Sequence, residues 1–587
     1  MNFDKNTVIG IALIILIFLG FSIYTSQQEA KYLKEHPKKA ETTAAYPTAD
    51  SNKVAAKADS LSPATVSKAP SDSVSTANLG SFSAFTSGTE QLTTIENENC
   101  IYTFSNKGGV IKKVELKEYK TFTKQPLILF EDKGNDFNFT FISNDSKVPV
   151  QTENLYFSST IASKKISGTE KLDVVYKIDL GNGKVYEHKY TLNGSGYVAD
   201  FVINAVNFAD IIPANQPITL NWKQELPAQE GGIDDERYNS ALYYMNTQKE
   251  EDDLTNDNEE DIETPLQWVS YKQKFFNTSI IADKESFKKG AKITVVTPKD
   301  STNIVKTFTS QLQIPFSNSN AFSFPMRLYM GPNKYSELKK MDVDLTAIVP
   351  LGWSILSLIN KFFIIPIFHF LSKFISSYGI IILLLAIVIK LVTFPFTYKS
   401  TISMAKMKVL KPEIDELKKK FPNQAEFGQK QMELYSQTGV SPFGGCLPML
   451  LQMPILIAMY RFFPASIELR QQPFLWATDL SSFDSILSWT QDIPVINFLF
   501  GNHISLFTIL MAVSSIAVTK LTSQSQPSGG ADDMMAQQMK IMMYVMPVML
   551  LFMFNKQPAA LSYYYFLFNI LTLGQNWIIQ KFFINEE

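Results

Sequence analysis

The stretch that decides the fold is Tyr378–Phe396, YGIIILLLAIVIKLVTFPF. From Gly379 to Val392 every residue is apolar except Lys390. At a rise of about 1.5 Å per residue, a helix of this length approaches the roughly 30 Å hydrocarbon core of a bilayer. The sequence therefore predicts a membrane-spanning helix over residues 378–398 with one cation inside its apolar run.

That cation, Lys390, requires a compensating environment. A lysine inside a membrane helix costs at least about 2.5 kcal/mol on insertion scales. Lys390 either extends to the cytoplasmic surface or faces a polar cavity built by other helices. The next cation, Lys399, is nine positions away in the sequence, which is roughly 13 Å along a helix axis and beyond the reach of a lysine side chain. We therefore favour the polar cavity.

Composition restricts the class of protein. The chain has 587 residues, too many for one domain, and only 19% of them are charged. Its net charge of −2 gives no support for nucleic acid as the main partner. The two cysteines lie far apart, and neither an HExxH nor a GxxxxGK[ST] pattern occurs. We expect a protein without catalytic residues, metal or cofactor.

The amino-terminal region begins with a second apolar run, Thr7–Tyr24, which follows Lys5. The sequence TSQQEAKYLKE comes next, and it lacks the small-residue site of a cleaved signal peptide. Residues 1–25 are therefore predicted to form an uncleaved membrane anchor. Residues 26–88 are rich in Ala, Ser, Thr, Lys and Pro, a composition that predicts a disordered linker.

A pattern of period two marks residues 89–345. In VVYKIDL at 174–180, for example, apolar side chains recur at every second position before the turn Asn182-Gly183. Such runs predict an all-β sandwich domain. The segment Glu250–Glu263 carries nine acidic residues and is predicted to be a solvated loop.

Two amphipathic segments flank the first predicted core span. Residues 350–377 are apolar but interrupted by residues such as Asn360 and Lys361, which predicts an interfacial helix. Residues 399–441 are predicted to form a basic helical hairpin, which the positive-inside rule places in the cytoplasm. Its apolar seam has spacings of 3, 4, 3 and 4 and consists of Met407, Leu410, Ile414, Leu417 and Phe421.

Four further spans are predicted, and with residues 378–398 they give a core of five transmembrane helices. They cover residues 444–465, 502–520, 539–556 and 558–582. Polar residues recur with helical spacing along two of these spans, and they are Ser505, Thr508, Ser515 and Thr519, then Ser562, Tyr565, Asn569, Thr572 and Asn576. Such stripes occur at helix-packing interfaces and in hydrated grooves. Because Lys390 and Gln452 lie in the same bundle, we favour a groove.

Several segments resemble the YidC membrane-protein insertase family, which is related to the Oxa and Alb proteins. They include YKSTISMAKMKVLKPEIDELKKKF, SPFGGCLPMLLQMPILIAMYRFF and PAALSYYYFLFNILT. The resemblance covers nearly the whole chain. It implies an amino-terminal anchor, a periplasmic β-supersandwich and five core helices around a hydrophilic groove. It also implies a bacterial inner membrane protein with both termini in the cytoplasm.

The resemblance also implies roles for individual residues. Lys390 matches the groove cation, where most members of the family carry arginine, so the charge is kept and the five-donor fork is lost. Gln452 matches a groove-lining position, and Tyr564 and Tyr565 match positions that contact substrates. The predicted groove is completed by Ser515, Asn569 and Thr572, and the predicted client-contact residues of the hairpin are Met404, Met407, Leu410 and Ile414.

The implied function is non-enzymatic insertion and folding of new membrane proteins, alone or with the Sec translocon. Nascent chains and the lipid bilayer are the implied partners. The sequence ends in Asn585-Glu586-Glu587, which puts ribosome contact through a basic tail in doubt. A secondary transporter with Lys390 as a substrate or proton site is the alternative, and a Ser–Lys protease is a third hypothesis. Because a linker joins the sandwich to the chain, we expect it to be dispensable for simple clients.

Overall fold

The computed structural model describes most of the chain after residue 78. The described residues are 79–146, 148–213, 216–317, 321–439, 447–491, 497, 500–524 and 545–584. The predicted anchor and most of the predicted linker lie outside them. A β-rich part is followed by helices, which confirms the predicted fold class of an all-β domain and a helical core.

Three sheets build the β domain. Its strands are β1 Leu92–Glu96, β2 Cys100–Ser105, β3 Val110–Lys120, β4 Pro126–Phe130, β5 Asn135–Phe141, β6 Val150–Gln151, β7 Lys164–Lys165, β8 Lys171–Asp179, β9 Val185–Asn193, β10 Val198–Val206, β11 Ile218–Pro227, β12 Ala241–Asn246, β13 Glu251–Leu254, β14 Asn258–Ile262, β15 Leu266–Lys272, β16 Phe276–Ala282, β17 Lys288–Val296, β18 Ile304–Ile314 and β19 Ala321–Pro332. The strand orders are β4-β3-β2-β1-β7, β13-β12-β15-β16-β19-β10-β9-β8 and β14-β17-β18-β11-β5-β6. The long neighbouring strands pair antiparallel, as in β10 with β19 and β11 with β18.

Alternation along the strands builds one apolar core. In β11, ITLNWKQELP, every second side chain is buried, because successive side chains of a strand point to opposite faces. Aromatic rings fill much of the space between the sheets. Tyr190 stacks on Phe201 at 4.3 Å and Trp222 stacks on Tyr271 at 3.6 Å, so each ring pair joins two strands.

The packed domain extends beyond the predicted limits of 89 and 345. A 3₁₀ turn at Gly80–Phe85 places Phe82, which is fully buried, in the core of the sandwich. At the other end Leu351 belongs to the same core. The predicted linker boundary at residue 88 is therefore too late. Phe82 and the buried Leu79 anchor this otherwise polar segment, and composition averaged over the segment hides both residues.

The acidic segment is not the solvated loop that the sequence predicts. It forms β13 and β14 at the outer edges of two sheets. Leu254 and Ile262 are buried and supply the apolar contact, while most of the carboxylates remain at the surface. Charged side chains on an edge strand oppose pairing with another chain, which gives the acidic composition a structural use.

His188 is a buried titratable group in the core of the β domain. Its ring is fully buried, with Nδ1 3.1 Å from the Gly109 carbonyl and Nε2 3.2 Å from the Tyr186 hydroxyl. Since a carbonyl only accepts, Nδ1 carries the hydrogen. Burial lowers the pKa of His188 from 6.5 to about 4, so the unfolded chain takes up a proton in this range and the folded domain does not.

We therefore expect His188 to lower the free energy of unfolding of the β domain as the pH falls from about 6.5 towards 4. The loss reaches about 2 to 3 kcal/mol at the low end. Urea unfolding of the wild type and of His188→Gln, followed by tryptophan fluorescence between pH 7 and 4.5, measures this contribution. The variant should have the flatter pH dependence. Equal slopes for the two proteins would show that His188 is not responsible.

The helices follow the β domain, apart from two short ones inside it. They are α1 Ile233–Tyr238, α2 Tyr335–Lys339, α3 Ile355–Ile359, α4 Ile365–Ser372, α5 Tyr378–Val409, α6 Lys411–Lys420, α7 Gln424–Gln437, α8 Leu447–Ala465, α9 Leu506–Gln524, α10 Val545–Asn555 and α11 Ala559–Ile579. A π-helical turn, Asn360–Ile364, joins α3 to α4, and another, Gln580–Ile584, follows α11. The two-residue strands Leu487–Ser488 and His503–Ile504 pair in the connection before α9.

The helix α5 is longer than predicted. It continues through residue 398 to Val409 and contains Pro395, so the first part of the predicted hairpin extends the spanning helix. Of the segments that the structure describes, two are long and apolar enough to cross a membrane by length and composition, Ile355–Ser372 and Tyr378–Ser403. The sequence predicts an interfacial helix for the first of them, and this stays a prediction.

Asn360 connects this predicted interfacial segment to α8. From the sequence, Asn360 interrupts an apolar segment and is predicted to be partly exposed. Its side chain is instead fully buried. Its amide donates hydrogen bonds to the carbonyls of Leu351 at 2.8 Å and Ala458 at 3.0 Å. A buried amide needs such acceptors because burial without a partner costs free energy. Asn360 therefore fixes the segment to α8.

Candidate functional site

The candidate site centres on Lys390, which α5 places inside the helical bundle. Its side chain is only 9% exposed. The ammonium donates a hydrogen bond of 2.7 Å to Thr572 Oγ1 of α11 and lies 3.5 Å from the centre of the Phe568 ring. The ammonium therefore ends against the last helix and does not extend along α5 towards Lys399.

Lys390 has no carboxylate partner among the residues that the structure describes, where each ion pair joins other side chains. The Thr572 hydroxyl and the face of the Phe568 ring both attract a cation, but neither carries a full negative charge. A cation in a poorly hydrated place interacts strongly with any opposite charge that reaches it. A carboxylate that reached Lys390 would therefore be attracted to it.

The helix α11 supplies polar partners to three other helices. Its polar residues recur every three or four positions, so they share one face. The hydrogen bonds are Ser562 with Thr508 at 3.0 Å, Tyr565 with the Leu456 carbonyl at 2.8 Å, Asn569 with Ser514 at 3.0 Å, Thr572 with Lys390 at 2.7 Å and Asn576 with Thr401 at 3.5 Å. These contacts support the helix-packing alternative for the stripe, since polar groups in membrane bundles bond across helices.

The two tyrosines predicted to contact substrates are held inside the bundle. Tyr564 is fully buried, and its ring packs against Phe463 at 5.6 Å. Tyr565 is half-buried, and its hydroxyl donates to the Leu456 carbonyl. Tyr564 is therefore not accessible to a substrate in this conformation, which corrects the prediction. The sequence showed a tyrosine run on a helix but not which ring faces the interior.

The remaining predicted groove residues are placed differently. Asn569 bonds to Ser514. The predicted Ser515 is the next residue and is half-buried. Gln452 is also half-buried on α8. Helical spacing placed Ser515 on the polar stripe of α9. Ser514, which bonds to Asn569, is one residue earlier and therefore points about 100° away around the helix.

Sequence reasoning also missed Phe568, which lies under the ammonium of Lys390. The sequence could have indicated Phe568 through its spacing, because it precedes Thr572 by four residues and therefore lies on the same face of the helix. The carbonyl of Phe568 accepts a 2.6 Å hydrogen bond from the Thr572 hydroxyl. This bond fixes the hydroxyl oxygen as the acceptor for Lys390, so ring and hydroxyl form one cation-binding pair.

The hairpin has a small core of its own. Leu410 and Ile414 are buried against Phe427 and Tyr435, and Asn423 caps α7 through the Ala425 amide at 3.0 Å. The sequence predicts Leu410 and Ile414 as client contacts, but the structure assigns them to the hairpin interior. Their apolar seam faces the second helix because that is where burial stabilises the hairpin.

The side chains of Met404 and Met407, the other predicted client contacts of the hairpin, lie outside what the structure describes. Within the described parts of the chain, no group of three or more His, Cys, Asp or Glu residues could hold a metal ion. The described site consists of Lys390, Thr572 and Phe568.

Comparison with known proteins covers both parts of the chain. A family model described as the YidC periplasmic domain matches residues 92–368, and one described as 60Kd inner membrane protein matches residues 370–586. Among solved structures, a putative aldose 1-epimerase from Escherichia coli K12 aligns with 41% of this chain and 99% of its own, at 10% identity and a TM-score of 0.25.

Whole-length relatives are also similar to this chain. The membrane protein insertase YidC of Parabacteroides distasonis is 37% identical, over 100% of this chain and 93% of the relative. That of Phocaeicola vulgatus is 36% identical, over 98% and 91%. That of Bacteroides fragilis is 35% identical, over 98% and 92%.

Proposed function

Because the chain belongs to the YidC family of membrane protein insertases, we propose that Lys390 and Thr572 engage the client segment that crosses the membrane. The observation that carries this proposal is a buried ammonium, 2.7 Å from a hydroxyl, with no carboxylate partner in the described part of the chain. A buried charge is costly in a membrane bundle and neutral residues could pack the same helices, which favours a role for the charge itself.

The physical problem of insertion is the polar end of the client. Its charges and peptide groups lose their hydrogen bonds with water in the hydrocarbon, and each unpaired group costs several kcal/mol. A fixed cation within the bundle lowers that cost for a segment that carries Asp or Glu. The client carboxylate would replace the Thr572 hydroxyl as the partner of Lys390, and the hydroxyl would keep its bond to the Phe568 carbonyl.

The apolar span of the client supplies the free energy. Its transfer from water to lipid releases about 25 cal/mol per Å² of apolar surface. Insertion forms and breaks no covalent bond, so the proposed mechanism is non-enzymatic. The hydroxyl at Lys390 belongs to Thr572 and already bonds to a carbonyl, which offers no support for a Ser–Lys protease.

We also propose a membrane topology and roles for the other predicted residues. Gln452, Ser515 and Asn569 would border the path of the client, and Met404 and Met407 would receive it at the hairpin. The β domain would be periplasmic and the hairpin and both termini cytoplasmic, in the inner membrane of a bacterium. The Sec translocon would be a partner for some clients.

Reconstitution tests the proposed function. The full chain is purified, incorporated into liposomes and given a short membrane protein made by cell-free translation. We expect the client to become protected from added protease on its translocated side, in amounts that follow the quantity of reconstituted chain. Empty liposomes are the control. Equal protection in both samples would contradict insertion by this chain.

A further inference from the structure

The loop between α8 and the first of the two-residue strands connects the β domain with the helices of the site. This junction loop, residues 466–484, contains a buried ion pair with the β domain. Arg470 donates to Glu230 Oε1 at 2.7 Å, and the two side chains are only 3% and 10% exposed. Removing one partner of a pair this deeply buried leaves an uncompensated charge, so the loss of Arg470 should be costly.

Further hydrogen bonds make the attachment geometrically specific. A second nitrogen of Arg470 donates to the Lys120 carbonyl at 2.6 Å. The neighbouring Gln471 donates to the carbonyls of Lys120 and Thr121, both at 3.0 Å. Both carbonyls belong to the end of β3 and its turn, so the loop is bound to backbone as well as to a side chain. Ile467 adds an apolar contact, because it belongs to the core of the β domain.

The same loop caps two helices of the bundle. The carboxylate of Asp484 accepts hydrogen bonds from the backbone amides of Leu506 and Phe507, both at 3.0 Å, at the start of α9. At the start of α11, the amides of Ala559 and Ala560 donate to loop carbonyls at 2.7 and 3.1 Å. The first amides of a helix have no partner within it, so these caps fix where each helix begins.

The loop is closed by its own side chains between these two attachments. Asp479 Oδ1 accepts from the amides of Gln471 and Ser481, at 2.9 and 2.8 Å. Trp476 Nε1 donates to Asp484 at 2.8 Å. The bond from Gln471 to Asp479 ties the part that holds the β domain to the part that caps the helices. The other two bonds stiffen the capping part, so a shift at one end is carried to the other.

We propose that the junction loop makes the β domain a positioning element for the insertion site, with Arg470 as the positioning residue. The helices that it caps, α9 and α11, carry Ser514, Asn569 and Thr572. Anchoring of the loop by Arg470 holds the starts of both helices, and through α11 it holds the partner of Lys390. The inference rests on the proposed function only for its consequence in insertion, not for the coupling itself.

Hydrogen exchange on the full-length chain in lipid nanodiscs tests the coupling. Arg470→Ala should speed exchange of the capped amides, those of Leu506, Phe507, Ala559 and Ala560, by about tenfold, because the caps loosen with the loop. The matched control is Arg327→Ala. Arg327 pairs with Asp283 at 2.6 Å inside the β domain, and its loss should leave the four helix-start amides at the wild-type rate.

Two variants guard against a general loss of folding. Arg470→Lys keeps the charge and loses the second donor, and Gln471→Ala removes only the half-exposed contacts, so each should give a smaller increase at the same amides. Wild-type exchange at these amides in all three loop variants would overturn the proposal, as would equal acceleration in Arg327→Ala. Exchange needs no client, so failure here is distinct from failure of the proposed function.

Discussion

Replacement of Lys390 by glutamate should lower insertion of clients with an acidic translocated end by at least about tenfold. Two unit charges about 4 Å apart interact by about 4 kcal/mol at an effective dielectric constant of 20, and a third of that is already a factor of ten in rate. Burial of Lys390 keeps salt from screening this interaction. The measurement is the liposome insertion assay with paired clients that differ only in the charge of the translocated segment.

The pattern across substitutions separates charge from shape. Lys390→Arg should retain activity, because the cation persists, and Lys390→Gln should impair acidic clients more than neutral ones. Lys399→Glu is the matched control, since Lys399 is an exposed lysine on the same helix and its loss should not change the ratio between the two clients. Equal insertion of both clients by Lys390→Gln would show that the charge does not act on the substrate.

Truncation of the hairpin core should have the largest effect on local stability. Ile414 is 1% exposed, between Leu410 and the second helix of the hairpin. We expect Ile414→Ala to cost the hairpin about 2 to 4 kcal/mol, since the removed methyl groups leave a cavity. A small two-helix unit cannot absorb such a loss, so α6 and α7 should lose most of their protection from hydrogen exchange.

Met432→Ala provides the comparison, because Met432 lies on α7 in the same hairpin and is 54% exposed. Its effect on exchange should stay within about 0.5 kcal/mol. If Ile414 contacts clients and does not stabilise the hairpin, Ile414→Ala should leave hydrogen exchange of the hairpin normal and weaken binding of nascent chains. That outcome would restore the prediction made from the sequence.

The sequence predicted most of the fold because periodicity reports which faces are buried. Strict alternation located the sandwich, and the apolar run of Tyr378–Phe396 located α5. It could not predict that Phe82 is anchored in the core or that the acidic segment forms edge strands, because each depends on contacts with distant strands. Average composition carries no information on such contacts.

The site was predicted in part. Lys390 stands out because a charge in an apolar run is improbable, and its partner Thr572 belongs to a stripe that helical spacing identifies. Spacing does not give the rotation of one helix against another, so it did not identify Ser514, which bonds to Asn569. The groove role of Ser515 stays a prediction. Helical spacing also did not indicate the contacts of the junction loop.

The junction loop changes the expectation for the β domain. The sequence predicts a tethered sandwich that is dispensable for simple clients. The buried pair of Arg470 and Glu230 opposes this, because deletion of the domain would leave Arg470 without its partner. The pair joins residues 240 positions apart, a separation at which no local pattern relates them.

The most direct test of the central claim, that clients pass beside Lys390, is site-specific photo-crosslinking to ribosome-bound nascent chains. Gln452 and Met453 are neighbours on α8 and point about 100° apart around the helix. Gln452 is half-buried and Met453 is 50% exposed. A photoreactive residue at 452 should capture the translocated segment of the client, and one at 453 should capture much less. Capture at 453 without capture at 452 would contradict the account, because the client would then pass outside the bundle.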